Sequence, residues 1–313
     1  MQNLKSFALV FGLGASALLI AACGAQQLTP ANAPPAAAIT SDAKGAASYA
    51  YTCQSSSSSV DCLVYQGSKT VRTLTKGLKK PLGVAAGKDG LFYVADESAK
   101  DIFVYSAGGA KLVATMSDGS NAPVDVAVYN DEVAASNKNT LTFFAKGATK
   151  PTLTLKDSTA VQGSGAAFDS AGNCYWSFKT KSGASVDEFK GCKGNPVNLK
   201  IAPGTPYGIA FDGNGNLYYT SYNTADRGIY ACSGVKSCAL TFKKIKPPFV
   251  DPQYIQFSSN FADVWIDDPG DYQCYCSGLY EIDRKTGKEA GKIQAGLSFF
   301  NPPSGVAIGP GPF

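Results

Sequence analysis

The chain contains no histidine. That removes the commonest general base, the Ser-His-Asp and Cys-His arrangements, and metal sites built on imidazole. What remains for chemistry is oxygen and sulfur. Asp212-Gly213-Asn214-Gly215-Asn216 has the D-x-N-x-N spacing of a calcium loop. An EF-hand needs a bidentate Glu at the twelfth loop position, and the residue there is Asn223. The other reading is a plain turn, in which Asn and Gly tolerate positive φ. Lys88-Asp89-Gly90 and Ser170-Ala171-Gly172-Asn173 hold the same place in sister segments, which favours the turn. The nine cysteines become eight once Cys23 is set aside, and these fall into local pairs: Cys53 with Cys62, Cys174 with Cys192, Cys232 with Cys238, Cys274 with Cys276. An even set in an exported chain reads as disulfides. Zinc is the alternative, but no CxxC pair occurs.

The elements that must position these groups are repeated. First-strand segments align as Pro81-Leu82-Gly83-Val84-Ala85, Pro123-Val124-Asp125-Val126-Ala127, Gly163-Ser164-Gly165-Ala166-Ala167, Pro206-Tyr207-Gly208-Ile209-Ala210, Pro252-Gln253-Tyr254-Ile255-Gln256 and Pro303-Ser304-Gly305-Val306-Ala307. Their spacing is roughly 40 to 50 residues, the period of a propeller array. After each of the first five come a short polar turn and three further strand patterns, for instance Leu217–Ser221, Gly228–Ala231 and Leu240–Ile245. Four strands per repeat predict a propeller blade rather than a βαβ unit. The sixth copy stops at Phe313, and its three missing strands precede the first repeat, at Ser48–Thr52, Cys62–Gln66 and Thr70–Thr75. A blade shared by both termini closes the ring and removes open edges. The expected fold is therefore all-β: six four-stranded blades, the last closed by N- and C-terminal strands. Three of the cysteine pairs bracket turns of this scheme, with Cys174 and Cys192 centring on Gly183, a lone hairpin being marginal without such support.

Pro-x-Gly-Ile-Ala, then Asp-x-x-Gly-Asn-Leu-Tyr, then Ile-Tyr on the third strand resembles the NHL-type and SMP-30/gluconolactonase-like six-bladed propellers. The resemblance covers nearly everything from Ser48 to Phe313, and such propellers host many functions. It implies a ligand face formed by the approaches to the first strands and the loops between second and third strands. In the aligned column four residues are Gly, and the departures are Asp125 and Tyr254, both expected at the channel mouth. The second-to-third loops are expected to add Asp96 and Glu97, Asn137 and Asn139, Asn223 and Asp226, and Asp267, Asp268 and Asp271. Such oxygen ligands suit a divalent cation such as calcium. The resemblance, however, calls for a Glu at a first-strand approach, and none is present; solvated acidic loops are the other reading. Tyr207, Tyr222, Tyr254 and Tyr272 are candidates for a ligand platform, and equally for strand-edge packing. Trp176 and Trp265 are expected between blades, and Lys243, Lys244 and Lys246 on an outermost strand, where lysine discourages edge pairing.

Lys5 followed by the uncharged run Ser6 to Ala22 reads as an export signal too short to span a membrane. Leu19-Ile20-Ala21-Ala22-Cys23-Gly24 resembles the lipobox of bacterial lipoproteins, which implies acylation of Cys23 and, with Gly24 following, an outer-membrane or periplasmic address. Residues 25–47, rich in Ala, Pro, Thr and Gln, read as a tether. The expected organisation is thus a signal peptide at 1–22, a lipidated cysteine and tether at 23–47, and a propeller at 48–313. A net charge of +4 with scattered Lys and Arg gives no nucleic-acid footprint, and a monomer is expected. The expected function is a lipid-anchored binding module for a small ligand, glycan or protein. The alternative is a metal-dependent hydrolase of the lactonase kind, with Asp125 as its channel carboxylate.

Overall fold

The computed structural model describes residues 49–222, 225–241, 249–270 and 277–311, apart from the side chains at 237, 238 and 240. The leader and tether with Cys23, the lysines at 243, 244 and 246, and Asn223, Asp271, Tyr272, Cys274 and Cys276 lie outside the described residues.

The described chain forms six antiparallel sheets of four strands each. The closing blade holds β1 (Tyr49–Ser55), β2 (Val60–Gln66) and β3 (Lys69–Leu74). The first full blade follows as β4 (Pro81–Ala86), β5 (Phe92–Asp96), β6 (Asp101–Tyr105) and β7 (Leu112–Ser117). The second is β8 (Pro123–Tyr129), β9 (Glu132–Asn137), β10 (Leu141–Phe144) and β11 (Leu153–Leu155). The third is β12 (Gln162–Phe168), β13 (Cys174–Thr180), β14 (Gly183–Phe189) and β15 (Val197–Asn198). The fourth is β16 (Pro206–Phe211), β17 (Leu217–Ser221), β18 (Gly228–Ser233) and β19 (Ser237–Thr241). The fifth is β20 (Ile255–Phe257), β21 (Asp263–Asp268), β22 (Gly278–Asp283) and β23 (Glu289–Ile293). The last strand, β24 (Ser304–Gly309), completes the closing blade by pairing with β1, Tyr51 opposite Ala307. The ring is shut as the repeat count requires.

Six apolar clusters hold the ring, one at each junction. Tyr51, Val64 and Ala307 of the closing blade meet Val84, Phe92 and Phe103 of the first, and Ala210, Tyr218 and Ile229 of the fourth meet Phe257, Val264 and Tyr280 of the fifth. Trp176 is fully buried between the second and third blades and donates Nε1–H to Ser136 Oγ at 3.0 Å. Trp265 packs only partly against the junction of the fifth and closing blades.

Two of the expected disulfides are formed, Cys53–Cys62 and Cys174–Cys192. Cys53 and Cys62 face each other directly across β1 and β2. The second pair reaches its bond differently from the hairpin scheme. Cys174 faces Phe189, and Cys192 returns through a one-turn 3-10 segment in which both Gly191 and Cys192 have positive φ. Cys232 is also disulfide-bonded and stands opposite Cys238 in β18 and β19, whose side chain is outside the described set. Such bonds belong to an oxidising compartment. Among the described residues no helix is long and apolar enough to cross a membrane.

Candidate ligand face and channel mouth

The aligned glycine column has a steric cause. At Gly83, Gly165, Gly208 and Gly305 the innermost strand lies so close to its neighbour in the next blade that a Cβ has no room. A methyl group on Gly208 would sit 2.7 Å from Tyr254 Cα, and one on Gly165 would sit 2.6 Å from the Tyr207 carbonyl oxygen. A register shift, the mark of a β-bulge, falls at this column in β4, β8, β12 and β16. Buried second-strand residues tie the column down. Ser177 Oγ donates to the Tyr207 carbonyl, Thr220 Oγ1 donates to the Gln253 carbonyl, and Thr52 Oγ1 donates to the Gly305 carbonyl at 2.6 Å.

Asp267 holds the corresponding place in the fifth blade and works as an acceptor. Its Oδ1 takes the Tyr254 N–H, and its Oδ2 takes the Gly305 N–H of the next blade at 2.9 Å. Asp125 makes a similar link between the second and third blades, Oδ2 accepting from Ala166 N–H at 2.9 Å. Burial pushes the Asp125 carboxyl up to about 8, against the opposing backbone hydrogen bonds from Ala166 and Val126. Burial likewise raises Asp267 well above the usual carboxylate range. At about 8, Asp125 is held mostly protonated near neutral pH by loss of solvation.

Tyr254 crosses the ring. Its hydroxyl donates to the carbonyl of Val124, on the opposite blade, at 3.0 Å. Tyr207 meets Tyr254 edge-on at 5.5 Å, and Tyr222 meets Tyr207 edge-on at 5.5 Å. Below this lattice the channel is a cavity of about 70 Å³ lined by Val84, Val126, Ala166, Ile209, Phe257 and their neighbours, with Asp125 and Tyr254 at its mouth end. That volume holds a few waters, whereas small-molecule sites run to hundreds of cubic ångströms.

The structure thus brings Asp125, Tyr207, Tyr254 and Asp267 together. Asp96 stands apart, and Asn223 lies outside the described residues. Three of the acidic residues expected in second-to-third loops lie within second strands instead. Asp96, Asp267 and Asp268 end second strands and are fully buried. Asp96 accepts from the N–H groups of Lys79, Lys80 and Ala99, and Asp268 from those of Val250, Asp251 and Gly270. Each fastens the approach to the first strand onto the second-to-third turn, which is why a carboxylate can be buried there. Asp212 is a turn organiser of the same kind. Its Oδ1 accepts from Asn214 N–H and Asn216 N–H, and its Oδ2 from Arg284 of the next blade at 2.8 Å. A divalent cation needs lone pairs converging on one point. These carboxylates spend theirs on separate backbone N–H groups, and among the described residues no group of three candidate ligands converges. Among the described residues, the donor set at the mouth does not fit a cation.

The column reading missed four residues on the same face: Lys179 at the end of β13, Arg227 just before β18, and Asp251 and Gln253 on the approach to β20. Lys179 Nζ lies 5.1 Å from the Tyr222 ring centroid. Gln253 Nε2 donates to Asp251 Oδ2 at 2.9 Å. The available signal was position, since all four fall in the segments that build the mouth.

No family model and no curated protein matches the chain. Among solved structures, a chain from a nidogen/laminin complex is similar over 83% of this chain and 98% of its own, with a TM-score of 0.65 and 15% identity. A protein of unknown function from Bacteroides caccae is similar over the same shares, with a TM-score of 0.63 and 15% identity. At that identity the likeness is one of architecture, and it agrees with the strand count: the chain is a six-bladed β-propeller.

Proposed function

We propose that the protein is an exported binding module, anchored through an acylated Cys23, that takes a small ligand, glycan or protein on the mouth face of its propeller. The observation that carries this reading is the narrow, tied channel. Tyr254, Asp125 and Asp267 bolt opposite and adjacent blades together with their polar groups turned to backbone, and leave Tyr207 and Tyr222 with charged neighbours as the chemistry the face presents. The nidogen/laminin complex offers a parallel of fold only. The NHL-like and SMP-30-like repeat motif supports a propeller that binds by its loops.

The lactonase reading has one feature in its favour. A buried channel carboxyl held near 8 is the kind of group general acid or base catalysis uses. Against it stand the donor geometry and the narrow channel. Assaying wild type and Asp125→Asn with a model lactone, with and without calcium or zinc, separates the two. The binding reading expects no turnover and no metal-induced rise in Tm at millimolar metal, since bound metal would raise it by mass action. It also expects Tyr222→Ala to abolish the Tm rise given by any ligand found. Metal-dependent turnover lost in Asp125→Asn would overturn it.

A further inference from the structure

At the junction of the third, fourth and fifth blades, six side chains gather on the mouth face: Lys179, Tyr207, Tyr222, Arg227, Asp251 and Gln253. The two tyrosines stand edge to face at 89°, giving a walled corner of aromatic surface. Lys179 Nζ hangs over one ring. Asp251 is tied to Gln253 and sits within the field of both cations, which oppose the upward push of burial on its carboxyl.

Arg227 is the unsatisfied member. Among the described residues it takes part in no ion pair, and its Nε is buried with no hydrogen-bond partner. A buried, charged N–H without an acceptor is costly and uncommon. The guanidinium fork matches a carboxylate in bidentate geometry. Lys179 and Arg227 outnumber Asp251 within the cluster, and buried Asp268, which accepts from the Asp251 N–H, adds a second carboxyl beside it, so a monoanion suits this corner better than a dianion. The aromatic corner beside that charge offers area to a flat ring.

We propose that this junction binds a small organic monocarboxylate carrying a flat ring. Its carboxylate sits on Arg227 with Lys179 nearby, its ring lies against Tyr222 and Tyr207, and Asp251 limits the site to a single charge. The inference rests on the mouth face being the binding surface and adds the ligand class.

The test is a titration of the full chain, labelled with ¹³C on tyrosine rings, with four probes: benzoate, benzamide, acetate and inorganic phosphate. Benzoate is expected to shift the Tyr207 and Tyr222 resonances saturably, and the other three to bind at least about tenfold more weakly, the worth of a charge-assisted hydrogen bond. Arg227→Gln should weaken benzoate by about tenfold or more and Lys179→Gln by a few-fold. Unchanged resonances of the buried tyrosines serve as the folding check, and Arg227→Lys, which keeps the charge but loses the fork, should recover only part of the affinity. Two results overturn the proposal: benzamide binding as well as benzoate, or an affinity unmoved by Arg227→Gln. The first leaves the mouth face standing as the binding surface and removes only the anion. If no probe shifts either tyrosine, the ligand class falls, while the Tyr222→Ala experiment above still decides the surface.

Discussion

Gly208→Ala is the sharpest probe of how the blades meet. A methyl group there would stand 2.7 Å from Tyr254 Cα and closer still to the Gln253 carbonyl oxygen. Carbon contacts are comfortable from ~3.5 Å, so β16 and the approach to β20 must part by about 0.8 Å. Both obstacles are backbone, so no side chain can swing aside. Parting also stretches the hydrogen bonds that the Gln253 carbonyl accepts from Gly208 N–H, 2.9 Å, and from Thr220 Oγ1. Overpacking of this kind costs about 1–3 kcal/mol and a weakened buried hydrogen bond about 1 kcal/mol more, for a total of about 2–4 kcal/mol. In a domain of this size that is a fall of roughly 5–15 °C in Tm, measurable by calorimetry or circular dichroism. Gly215→Ala is the matched control, because its Cβ would meet nothing within 4 Å while its φ is +76°. It pays only for the left-handed backbone, about 1–2 kcal/mol. If Gly208→Ala proves as stable as wild type, the close approach of successive innermost strands is wrong.

Three further outcomes follow from the same geometry. Asp125 binds more protons folded than unfolded, so its contribution is fully present below about pH 4, the unfolded value, and is lost as pH climbs through about 8. Wild type should therefore lose stability between pH 5 and pH 9 more steeply than Asp125→Asn, as read by urea midpoints; parallel curves would contradict the buried carboxyl. Replacing Cys53 and Cys62 together by Ser opens a loop with a sequence separation of 9 and should cost about 2–3 kcal/mol, with intact mass in wild type two hydrogen atoms per bridge below the reduced form. Cys23→Ser should move the protein from the membrane pellet to the soluble fraction, since a single residual hydrophobic segment lacks the stable hold of several acyl chains; retention in the pellet would contradict the lipid anchor.

Much of the ring was legible because its constraints are local and repeated. Leu217–Ser221 is bounded by turn residues on both sides, and the structure has it as β17. The glycine column set the register because a Cβ is excluded there in four of six blades. Outermost strands were harder. The fourth strand of the third blade spans only Val197 and Asn198, both exposed, and an exposed edge gives burial no pattern to enforce. Asp267 and Asp268 were read as loop residues because buried carboxylates are rare; their burial depends on N–H groups from other segments that alternation cannot show. The meeting of Lys179, Arg227 and Asp251 is likewise a product of ring closure, since the three come from three different blades.

The proposed binding surface is the mouth face, not the narrow channel interior. A crystal structure refined to high resolution at that mouth tests this most directly. It should show the Tyr254 hydroxyl on the Val124 carbonyl, Asp125 and Asp267 on backbone N–H groups, and any ligand density above them beside Tyr222 and Arg227. A Tyr254 side chain swung clear of the ring, with Asp125 open to solvent and a cation or ligand bound inside the channel, would contradict it.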